Sequence, residues 1–210
     1  MFDVTSTKGG AGKSEKTKKK LVSASRDLFA KKGYSETSIR DILEAAEISK
    51  GNLYHHFKGK EFLFLHIMEE DHRMMIETWR EMEADLKDAA EKLTGFAELL
   101  SRMSINYPLM RASEEFYASA FTSEEVVKRL NKIDIEYDDV MRDILTEGNQ
   151  DGSWSIHHVE SKVKILLSVF YGLDVLYKND SIQQRRELQK EAISVFIHGV
   201  INADQQNQDS

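Results

Sequence analysis

This chain has no cysteine, no long apolar run and a single proline. The first two absences each exclude a class of structure. The 210 residues include no cysteine, which excludes a disulfide framework, a thiolate nucleophile and a cysteine-based metal site. No apolar run reaches the ~18 residues that a membrane-spanning helix needs, and no signal-peptide pattern opens the chain. The only proline is Pro108, which can sit in the first turn of a helix without harm. We therefore expect a cytoplasmic protein without a membrane partner.

Apolar residues recur at helical spacing along most of the chain. They make up 40% of the residues and charged side chains 31%, which supports a buried core and a wet surface. No segment alternates like a half-buried strand. The chain is therefore predicted to be all-α, with a flexible tail at 1–15, a three-helix head at 16–60 and a six-helix second domain at 61–210. The helices are expected at 16–32, 38–46, Ser49 to Gly59, 60–86, 88–106, from Pro108 onward, 124–147, 156–179 and 183–202.

The charge of the chain is distributed unevenly. The net charge is −7, but residues 13–60 hold 12 Lys and Arg against 6 Asp and Glu, while residues 61–210 carry a net charge of −13. A basic N-terminal quarter followed by an acidic remainder is typical of a DNA-reading head attached to a body that does not touch DNA.

Residues 37–61 contain two short helices joined by about three residues. Ser49 can cap the second helix, and Gly59 is placed to end it. Two helices with so short a joint form a helix-turn-helix, whose second helix normally enters the DNA major groove. The apolar residues of the first helix recur at i, i+3, i+4 and i+7, namely Ile39, Ile42, Leu43 and Ala46.

The solvent face of the second helix carries hydrogen-bond donors and a flat ring but no carboxylate, which suits a polyanion. Gly51 in its first turn would let the backbone come close to a phosphate or a base edge. The alternative is an amphipathic hairpin whose polar face is simply solvated. The predicted DNA-contacting residues are Thr37, Ser38, Ser49, Lys50, Gly51, Asn52, Tyr54, His55, His56, Lys58 and Lys60.

The segments LFAKKGYSETS and ISKGNLYHHFKGKEFLF resemble the DNA-binding domain of TetR-family repressors. They share the family's Gly-Tyr after the first helix and its Tyr-x-His-Phe-x-x-Lys-Glu close. The chain departs from the family at the turn, where Ala46-Glu47-Ile48 replaces Ala-Gly-Val. We therefore expect this turn not to rest on a glycine's left-handed backbone. The resemblance implies a repressor that binds double-stranded DNA and is not an enzyme.

The resemblance to multidrug-binding members of the family continues through YPLMRASEEFY, ILTEGNQDGSW and the last two helices. It implies a homodimer that binds an inverted-repeat operator and is released by bulky, often cationic, aromatic inducers. By matching positions, it also implies that Tyr107, Tyr117 and Tyr137 are pocket aromatics and that Asp71 and Asp134 are pocket acids. Met75 stands where such a relative has a pocket tryptophan. No cofactor is implied.

Physical arguments support the same pocket. Tyrosine faces attract cations, and carboxylates at Glu114 and Asp134 would be costly to bury without a cationic partner, which a ligand could supply. The alternative is that the aromatics only fill a core. Small residues at Ala192 and Gly199 mark the last two helices as the predicted dimer seam. The predicted ligand-binding residues are Asp71, Met75, Trp79, Tyr107, Met110, Glu114, Tyr117, Phe121, Asp134, Tyr137, Ser168 and Tyr171.

Two other motifs support competing functions. The stretch from Lys8 to Ser14, KGGAGKS, resembles the deviant Walker motif of ParA-type ATPases, but a phosphate loop needs a preceding buried strand that residues 2–6 do not supply. Glu69-x-x-His72 has the spacing used in di-iron helical bundles, which need that motif twice. A nucleotide hydrolase and a metal-binding bundle are therefore the alternatives to a repressor, and no metal is expected.

Overall fold

The computed structural model describes residues 8–105, 107–119, 123–177 and 179–206. These residues form helices and connecting turns without a strand, so the all-α prediction is confirmed. The helices are α1 (Lys8–Glu36), α2 (Ile39–Ala46), α3 (Lys50–His56), α4 (Lys60–Glu83), α5 (Ala89–Ile105), α6 (Met110–Ser119), α7 (Glu124–Asp151), α8 (Val159–Leu176) and α9 (Ile182–Gln206).

Packing divides the chain into two compact units that do not follow the predicted boundary at residue 60. Unit 1 contains residues 1–71 and 108–131, and unit 2 contains residues 72–107 and 132–210. Unit 1 therefore holds α1 to α3 together with α6, the first half of α4 and the start of α7. Part of the predicted second domain thus packs with the predicted head.

An aromatic cluster joins α1, α4 and α6 within unit 1. The ring centroids of Phe29 and Phe64 lie 4.8 Å apart, and those of Tyr34 and Phe116 lie 4.9 Å apart. Phe64 and Phe116 are also in contact at 5.0 Å, and both are almost fully buried. Such edge-to-face pairs stabilise by ~0.5–1.5 kcal/mol beyond their buried area. The head therefore shares its core with α6.

The first helix ends where it is predicted to end but begins earlier. Gly33 has φ 81 and ψ 176, which interrupts the helical backbone. The positive φ favours glycine here, and a Cβ would also displace the Glu115 carboxylate of α6, whose nearest oxygen lies 2.7 Å away. At the other end, α1 begins at Lys8, not at Lys16 as predicted. The stretch from Lys8 to Ser14 is therefore helical and does not form a phosphate loop.

A capping box starts α2. The Ser38 hydroxyl accepts the Asp41 N–H at 3.1 Å, and the Asp41 carboxylate accepts the Ser38 N–H at 2.9 Å. These bonds satisfy N–H groups that the first turn of a helix leaves free. The Ser38 bonds and the nearby Lys32 ammonium lower the pKa of Asp41 from 3.8 to about 2.

Acid should therefore weaken α2 through Asp41. The pKa is lower in the folded protein than in the unfolded chain, so the carboxylate stabilises the fold above pH ~4 and loses this effect as the pH falls toward ~2. We expect Asp41→Asn to lower stability at neutral pH, with a difference from the parent that shrinks below pH ~4. Urea unfolding across this range measures it, with Asp27→Asn on α1 as the control. A difference that does not change with pH would contradict the prediction.

The core of unit 2 is built mainly by α4, α5, α7 and α8. Trp79 packs edge-to-face on Phe96 at 4.9 Å, and both side chains are almost fully buried. Trp154 is also buried and donates its indole N–H to the Leu145 carbonyl at 2.8 Å. A Cβ at Gly148 would overlap that indole. Close packing of Trp154 on α7 therefore requires glycine at position 148.

Several helix ends differ from the predictions. Helix α7 continues through Gly148 to Asp151, where a loop was predicted from Gly148. Helix α3 ends at His56, because Phe57 adopts an extended backbone before Gly59 is reached. Pro108 lies two residues before α6, not in its first turn. The remaining shifts are a few residues each: α4 ends at Glu83, α5 begins at Ala89, α8 covers Val159–Leu176 and α9 covers Ile182–Gln206.

Candidate nucleic-acid interface

The turn between α2 and α3 has left-handed geometry despite the absence of glycine. Glu47 has φ 50 and ψ 45, and its N–H bonds to the Glu44 carbonyl at 3.2 Å. As expected, no glycine supplies this geometry; a glutamate adopts the left-handed backbone instead. A non-glycine residue in this region is strained by roughly 1–3 kcal/mol. The Glu47 carboxylate forms a surface ion pair with Lys20 on α1 at 2.6 Å.

The exposed face of α3 is the surface that the sequence predicts for DNA. The Ser49 hydroxyl caps the helix by accepting the Asn52 N–H at 3.3 Å. Lys50, Asn52 and Tyr54 are exposed, and the Lys50 ammonium lies 5.8 Å from the centre of the Tyr54 ring. No carboxylate is present on α3. This face therefore offers donors and an aromatic ring to a polyanion.

Nothing in the described part of the protein requires glycine at position 51. A Cβ there would meet only the Ser49 hydroxyl, at 3.9 Å. Glycine inside a helix is less stable than alanine by ~0.5–1 kcal/mol. Its presence at an exposed position of α3 is therefore explained better by a partner that approaches the backbone than by internal packing.

A shallow depression of about 560 Å³ lies between α2 and α3. It is lined by both helices and includes Arg40, Lys50 and Tyr54. Arg40 is exposed and forms no ion pair with the residues that the structure describes. Sequence reasoning missed this guanidinium because it considered mainly the second helix. Its position outside the apolar stripe of α2 was the available signal.

Two predicted DNA-contacting residues before α2 have internal roles. Thr37 is fully buried and donates its hydroxyl to the Gly33 carbonyl at 2.7 Å. The predicted contact of its side chain with DNA is therefore wrong. Ser38 is exposed, but its hydroxyl already accepts the Asp41 N–H in the capping box. Only the outer surface of that cap is available to a phosphate.

The residues at the end of α3 differ in exposure. His55 is exposed, while His56 is half-buried and contacts the His55 ring at 5.0 Å. Burial, followed by the charges of His55 and Lys18, lowers the pKa of His56. The exposed Lys58 forms an ion pair with Glu125 of α7 at 2.6 Å. Because surface ion pairs contribute little, Lys58 can exchange that partner for a phosphate.

Lys60 is the clearest correction to the predicted phosphate contacts. Its ammonium donates to the carbonyls of Tyr34 at 2.8 Å and Thr37 at 2.9 Å. It also lies 4.1 Å from the centre of the Tyr34 ring. Burial lowers its pKa. Lys60 therefore connects the start of α4 to the last turn of α1 and to Thr37, which precedes α2.

Replacing Lys60 with methionine should lower stability without changing the salt dependence of DNA binding. The variant keeps the alkyl stem but removes charge-assisted hydrogen bonds, each of which contributes ~1.5–3 kcal/mol. Lys50→Met is the matched comparison: it should leave stability unchanged and reduce the salt slope by about one. Urea unfolding and DNA titrations at several salt concentrations measure both. If Lys60→Met were fully stable and the salt dependence of its DNA binding were reduced, the original prediction that Lys60 contacts a phosphate would be correct.

Three of the predicted ligand residues in unit 1 take part in internal interactions, namely Asp71, Glu114 and Tyr117. Asp71 is buried, and its carboxylate lies 2.7 Å from the Arg26 guanidinium of α1. Helix α6 carries Glu114, Tyr117 and the half-buried Met110. The Glu114 carboxylate has an interaction partner. The premise that Glu114 is an unpaired buried carboxylate is therefore wrong. Phe121 lies outside the described residues.

In unit 2, the predicted ligand residues divide between core and surface. Met75 and Trp79 are almost fully buried in the core. Tyr107 and Tyr137 are half-buried. Asp134 is exposed, which corrects the expectation of a buried carboxylate, although partial desolvation and the nearby Asp138 raise its pKa.

The pair His72 and Glu136, which the sequence did not predict as a site, lies beside these residues. The Nε2 atom of buried His72 lies 2.8 Å from the Glu136 carboxylate. The His72 ring packs on Tyr137 at 4.7 Å, and its charge acts to lower the pKa of Asp134. Imidazole, phenol and carboxylates therefore meet at one place between α4 and α7.

The outer surfaces of α8 and α9 carry two apolar stripes. Ser168 and Tyr171, which were predicted to bind ligand, are both exposed on α8, Tyr171 by 69%. The stripe on α8 repeats at i, i+4, i+7 and i+11 and consists of Ile165, Val169, Gly172 and Leu176. The stripe on α9 has the same spacing and consists of Leu188, Ala192, Val195 and Gly199.

Family models match both parts of the chain. Residues 21–67 match the model described as bacterial regulatory proteins, tetR family. Residues 71–202, more than half of the chain, match the model of the QacR-like protein C-terminal region. The chain belongs to the TetR family. It is a transcriptional regulator with a helix-turn-helix DNA-binding domain, and the resemblance to its multidrug-binding members is confirmed by the QacR-like match.

A TetR-family relative of nearly full length is the HTH-type transcriptional regulator QacR of Staphylococcus aureus. It is 32% identical over 183 residues, covering 87% of this chain and 97% of QacR. Family members of this kind are regulators, which weighs against the nucleotide hydrolase.

Solved TetR-family structures support the same fold. A TetR transcription regulator from Haloarcula marismortui has a TM-score of 0.77 at 15% identity, covering 89% of this chain and 99% of that one. FadR from Bacillus subtilis, in complex with stearoyl-CoA, has a TM-score of 0.74 at 20% identity, covering 87% and 98%. At these identities the likeness shows the fold alone.

The described residues also bear on the metal-binding alternative. No group of three or more His, Cys, Asp or Glu side chains there is arranged to hold a metal ion. No helix in that part of the chain combines the length and apolarity needed to cross a membrane.

Proposed function

We propose that this protein is a homodimeric transcriptional repressor that binds an inverted-repeat operator and releases it on binding lipophilic, cationic aromatic compounds. The observation that carries the proposal is the exposed α3 face, which has donors, a ring and an unconstrained glycine but no carboxylate. Proteins with a helix-turn-helix place such a face in the major groove. The functional division at residue 60 is part of this proposal.

The DNA contacts are assigned by exposure. Tyr54 and Asn52 read base edges, while Lys50 and Arg40 hold the backbone phosphates on either side of them. His55 is exposed on the same helix and adds a further donor. Gly51 lets the DNA come close to α3. Phosphate contacts by cations supply affinity without sequence preference, so specificity rests on Tyr54 and Asn52.

The dimer is assigned to the stripes on α8 and α9. Leu176 is 76% exposed and Val195 is 62% exposed. Exposed apolar residues at regular spacing on two neighbouring helices mark an interaction surface. A second copy of the chain can cover both stripes at once, because a two-fold axis brings identical surfaces together. Small residues such as Gly172 and Gly199 allow the helices to approach closely.

Selection of binding sequences from random double-stranded DNA, followed by footprinting, tests the operator proposal. The expected result is an inverted repeat whose half-sites are protected together by a dimer. Val195→Arg should convert the protein to a monomer in sedimentation experiments and weaken binding to the full repeat. Arg73→Ala, at an exposed position of α4, is the control. A single unrepeated half-site protected by a monomer would defeat the proposal.

The inducer region is assigned to the α4–α7 surface of unit 2. Asp134, Glu136 and Asp138 concentrate negative charge beside the Tyr137 ring. A lipophilic cation placed there would gain carboxylate attraction and a cation–π contact. It would also offset the partial desolvation and the repulsion by Asp138, which together raise the pKa of Asp134. This concentration of negative charge supports a cationic ligand for this chain. The stearoyl-CoA bound by FadR is a ligand of that protein and does not indicate the ligand of this one.

The route from inducer to DNA runs through α4. Its residue Asp71 belongs to unit 1 and pairs with Arg26 of α1. The next residue, His72, belongs to unit 2 and pairs with Glu136 of α7. Consecutive residues of one helix are thus fastened to the head and to the inducer region. A ligand that favours one position of α4 over another changes operator affinity by its differential affinity for the two states.

Titration calorimetry with tetraphenylphosphonium and tetraphenylborate tests the inducer proposal, since the two ions share a shape but differ in charge. We expect the cation to bind and the anion not to bind. Asp134→Asn should lower the affinity for tetraphenylphosphonium by at least ~fivefold, as expected from an interaction free energy of about 1 kcal/mol between the carboxylate and the cation. Asp143→Asn, an exposed carboxylate elsewhere on α7, is the control. Equal binding of both ions in parent and variant would leave an uncharged pocket as the better account.

A further inference from the structure

A second cleft lies between α5 and α9 of unit 2, away from the proposed inducer region. Its volume is about 390 Å³. Its floor contains the almost fully buried Ala97, Ser101, Gln189 and Ile193, and its rim includes the charged side chains of Arg186 and Lys190. The volume falls within the range of small-molecule sites, and the mixture of apolar floor and few polar groups is typical of them.

Two buried polar atoms in the floor of this cleft have unused hydrogen-bonding capacity. Ser101 is 1% exposed and Gln189 is 3% exposed. Within the described part of the chain, neither the Ser101 hydroxyl nor the Gln189 Oε1 atom has a hydrogen-bond partner. Leaving such a group buried and unpaired costs ~1–3 kcal/mol. A ligand that bonds to both atoms would recover this free energy.

The orientation of Gln189 is fixed by its other end. Its Nε2 donates to the Asp174 carboxylate at 3.0 Å, and Arg185 donates to the same carboxylate at 3.0 Å. Flipping the amide would put its oxygen against that carboxylate. The Oε1 atom of this lining residue is therefore held as an acceptor, and its partner must be an N–H or O–H donor.

The rim favours an anionic group. Lys190 pairs with Glu98 at 3.1 Å, and Gln183 donates to Glu187 at 2.7 Å. The half-buried Arg186 forms no ion pair with the described residues. Its guanidinium is suited to a carboxylate, which it can bind through two hydrogen bonds.

The cleft remains open in the proposed dimer. Successive residues of a helix are ~100° apart, so Arg186 and Lys190 project roughly 160–200° away from Leu188 in the apolar stripe. A second copy of the chain that covers the Leu188 stripe therefore leaves Arg186 and Lys190 accessible to a ligand.

We propose that the α5–α9 cleft is a second effector site, which binds small organic anions carrying an O–H or N–H donor. The donor bonds to Gln189 Oε1 and Ser101 at the floor, the apolar part contacts Ala97 and Ile193, and the anionic group pairs with Arg186. This site selects the opposite charge from the cationic inducer and goes beyond the proposed function.

Calorimetry on the DNA-free protein tests this site with 4-hydroxybenzoate, which carries a donor and a carboxylate on one ring. Benzoate lacks the donor, and 4-hydroxybenzyl alcohol lacks the charge. We expect 4-hydroxybenzoate to bind at least ~tenfold more tightly than either, because each comparison removes one hydrogen-bonded or charged contact.

Two variants locate the binding. Arg186→Ala should lower the affinity for 4-hydroxybenzoate to that for 4-hydroxybenzyl alcohol. Ser101→Ala should lower the affinity for 4-hydroxybenzoate about fivefold. Ser101→Ala should not lower thermal stability, since the substitution removes an unpaired buried hydroxyl. Arg73→Ala is the control for loss of an exposed arginine of unit 2. Absence of saturable binding, equal binding of the three compounds, or binding that survives both variants would overturn the site. Because no DNA is present, these results do not depend on the repressor proposal.

Discussion

Tyr54→Ala should weaken binding to the selected operator by about 1–3 kcal/mol, which is roughly a 5- to 150-fold loss of affinity. The Tyr54 ring is 46% exposed on α3 beside Lys50 and does not belong to the buried core. Stability in urea should therefore remain close to that of the parent. Competition titrations with operator and random DNA separate the two effects, since the loss should be confined to operator.

Two comparisons sharpen this result. Tyr54→Phe keeps the ring, so it shows whether the hydroxyl or the stacking surface reads the base. Ile135→Ala removes an exposed apolar side chain of similar exposure, 55%, from α7 and should not affect DNA binding. Operator affinity of Tyr54→Ala equal to that of the parent would remove α3 from sequence recognition.

Gly51→Ala should give effects of opposite sign on folding and DNA binding. The new Cβ has open space, so helix propensity should raise stability by up to ~1 kcal/mol. The same Cβ would stand between α3 and DNA that approaches closely, so operator affinity should fall. A variant that gains stability and keeps full affinity would show that Gly51 does not serve close approach.

Gly148→Ala should lower stability, because the position has no room for a side chain. The added Cβ would overlap the Trp154 indole, which is buried and bonded to the Leu145 carbonyl. Overpacking a core costs ~1–3 kcal/mol, and this cost opposes a helix-propensity gain of only ~0.5–1 kcal/mol. We expect a net loss of about 1–2 kcal/mol in urea unfolding, with a correspondingly lower thermal midpoint.

The cause can be isolated with a double-mutant cycle. In a Trp154→Ala background the indole is absent, so Gly148→Ala should become neutral or slightly stabilising. Gly51→Ala serves as the control for glycine replacement in a helix with open space. The same loss from Gly148→Ala in both backgrounds would contradict the overlap with Trp154.

Features that depend on neighbouring residues were predictable from the sequence. The stripe of α2, the Ser49 cap and the interruption at Gly33 all involve residues within a few positions of one another. The resemblance to the TetR family added the head-and-body organisation. Helix ends were less accurate: α7 continues through Gly148 to Asp151, where a loop was predicted.

Side-chain roles that depend on distant partners were not predictable. Lys60 is a lysine next to the helix-turn-helix, so the sequence predicts a phosphate contact. Its ammonium instead bonds to carbonyls that lie 23 and 26 residues away. Asp71 pairs with Arg26, 45 residues away. Periodicity also gives a face without saying which side is outward, so Ser168 and Tyr171 were assigned to ligand although both are exposed on α8. Arg40 was missed for a different reason, because the prediction considered mainly α3.

Operator release by a charged probe is the most direct test of the central claim, which is that a cation on the body of this protein controls DNA binding by the head. Fluorescence anisotropy of labelled operator bound to the full chain would be followed during addition of tetraphenylphosphonium or tetraphenylborate. The account predicts that the cation releases operator in a saturable manner, that the anion does not, and that Asp134→Asn shifts release to higher cation concentration. An operator complex that is indifferent to the cation, or equally sensitive to both ions, would contradict it.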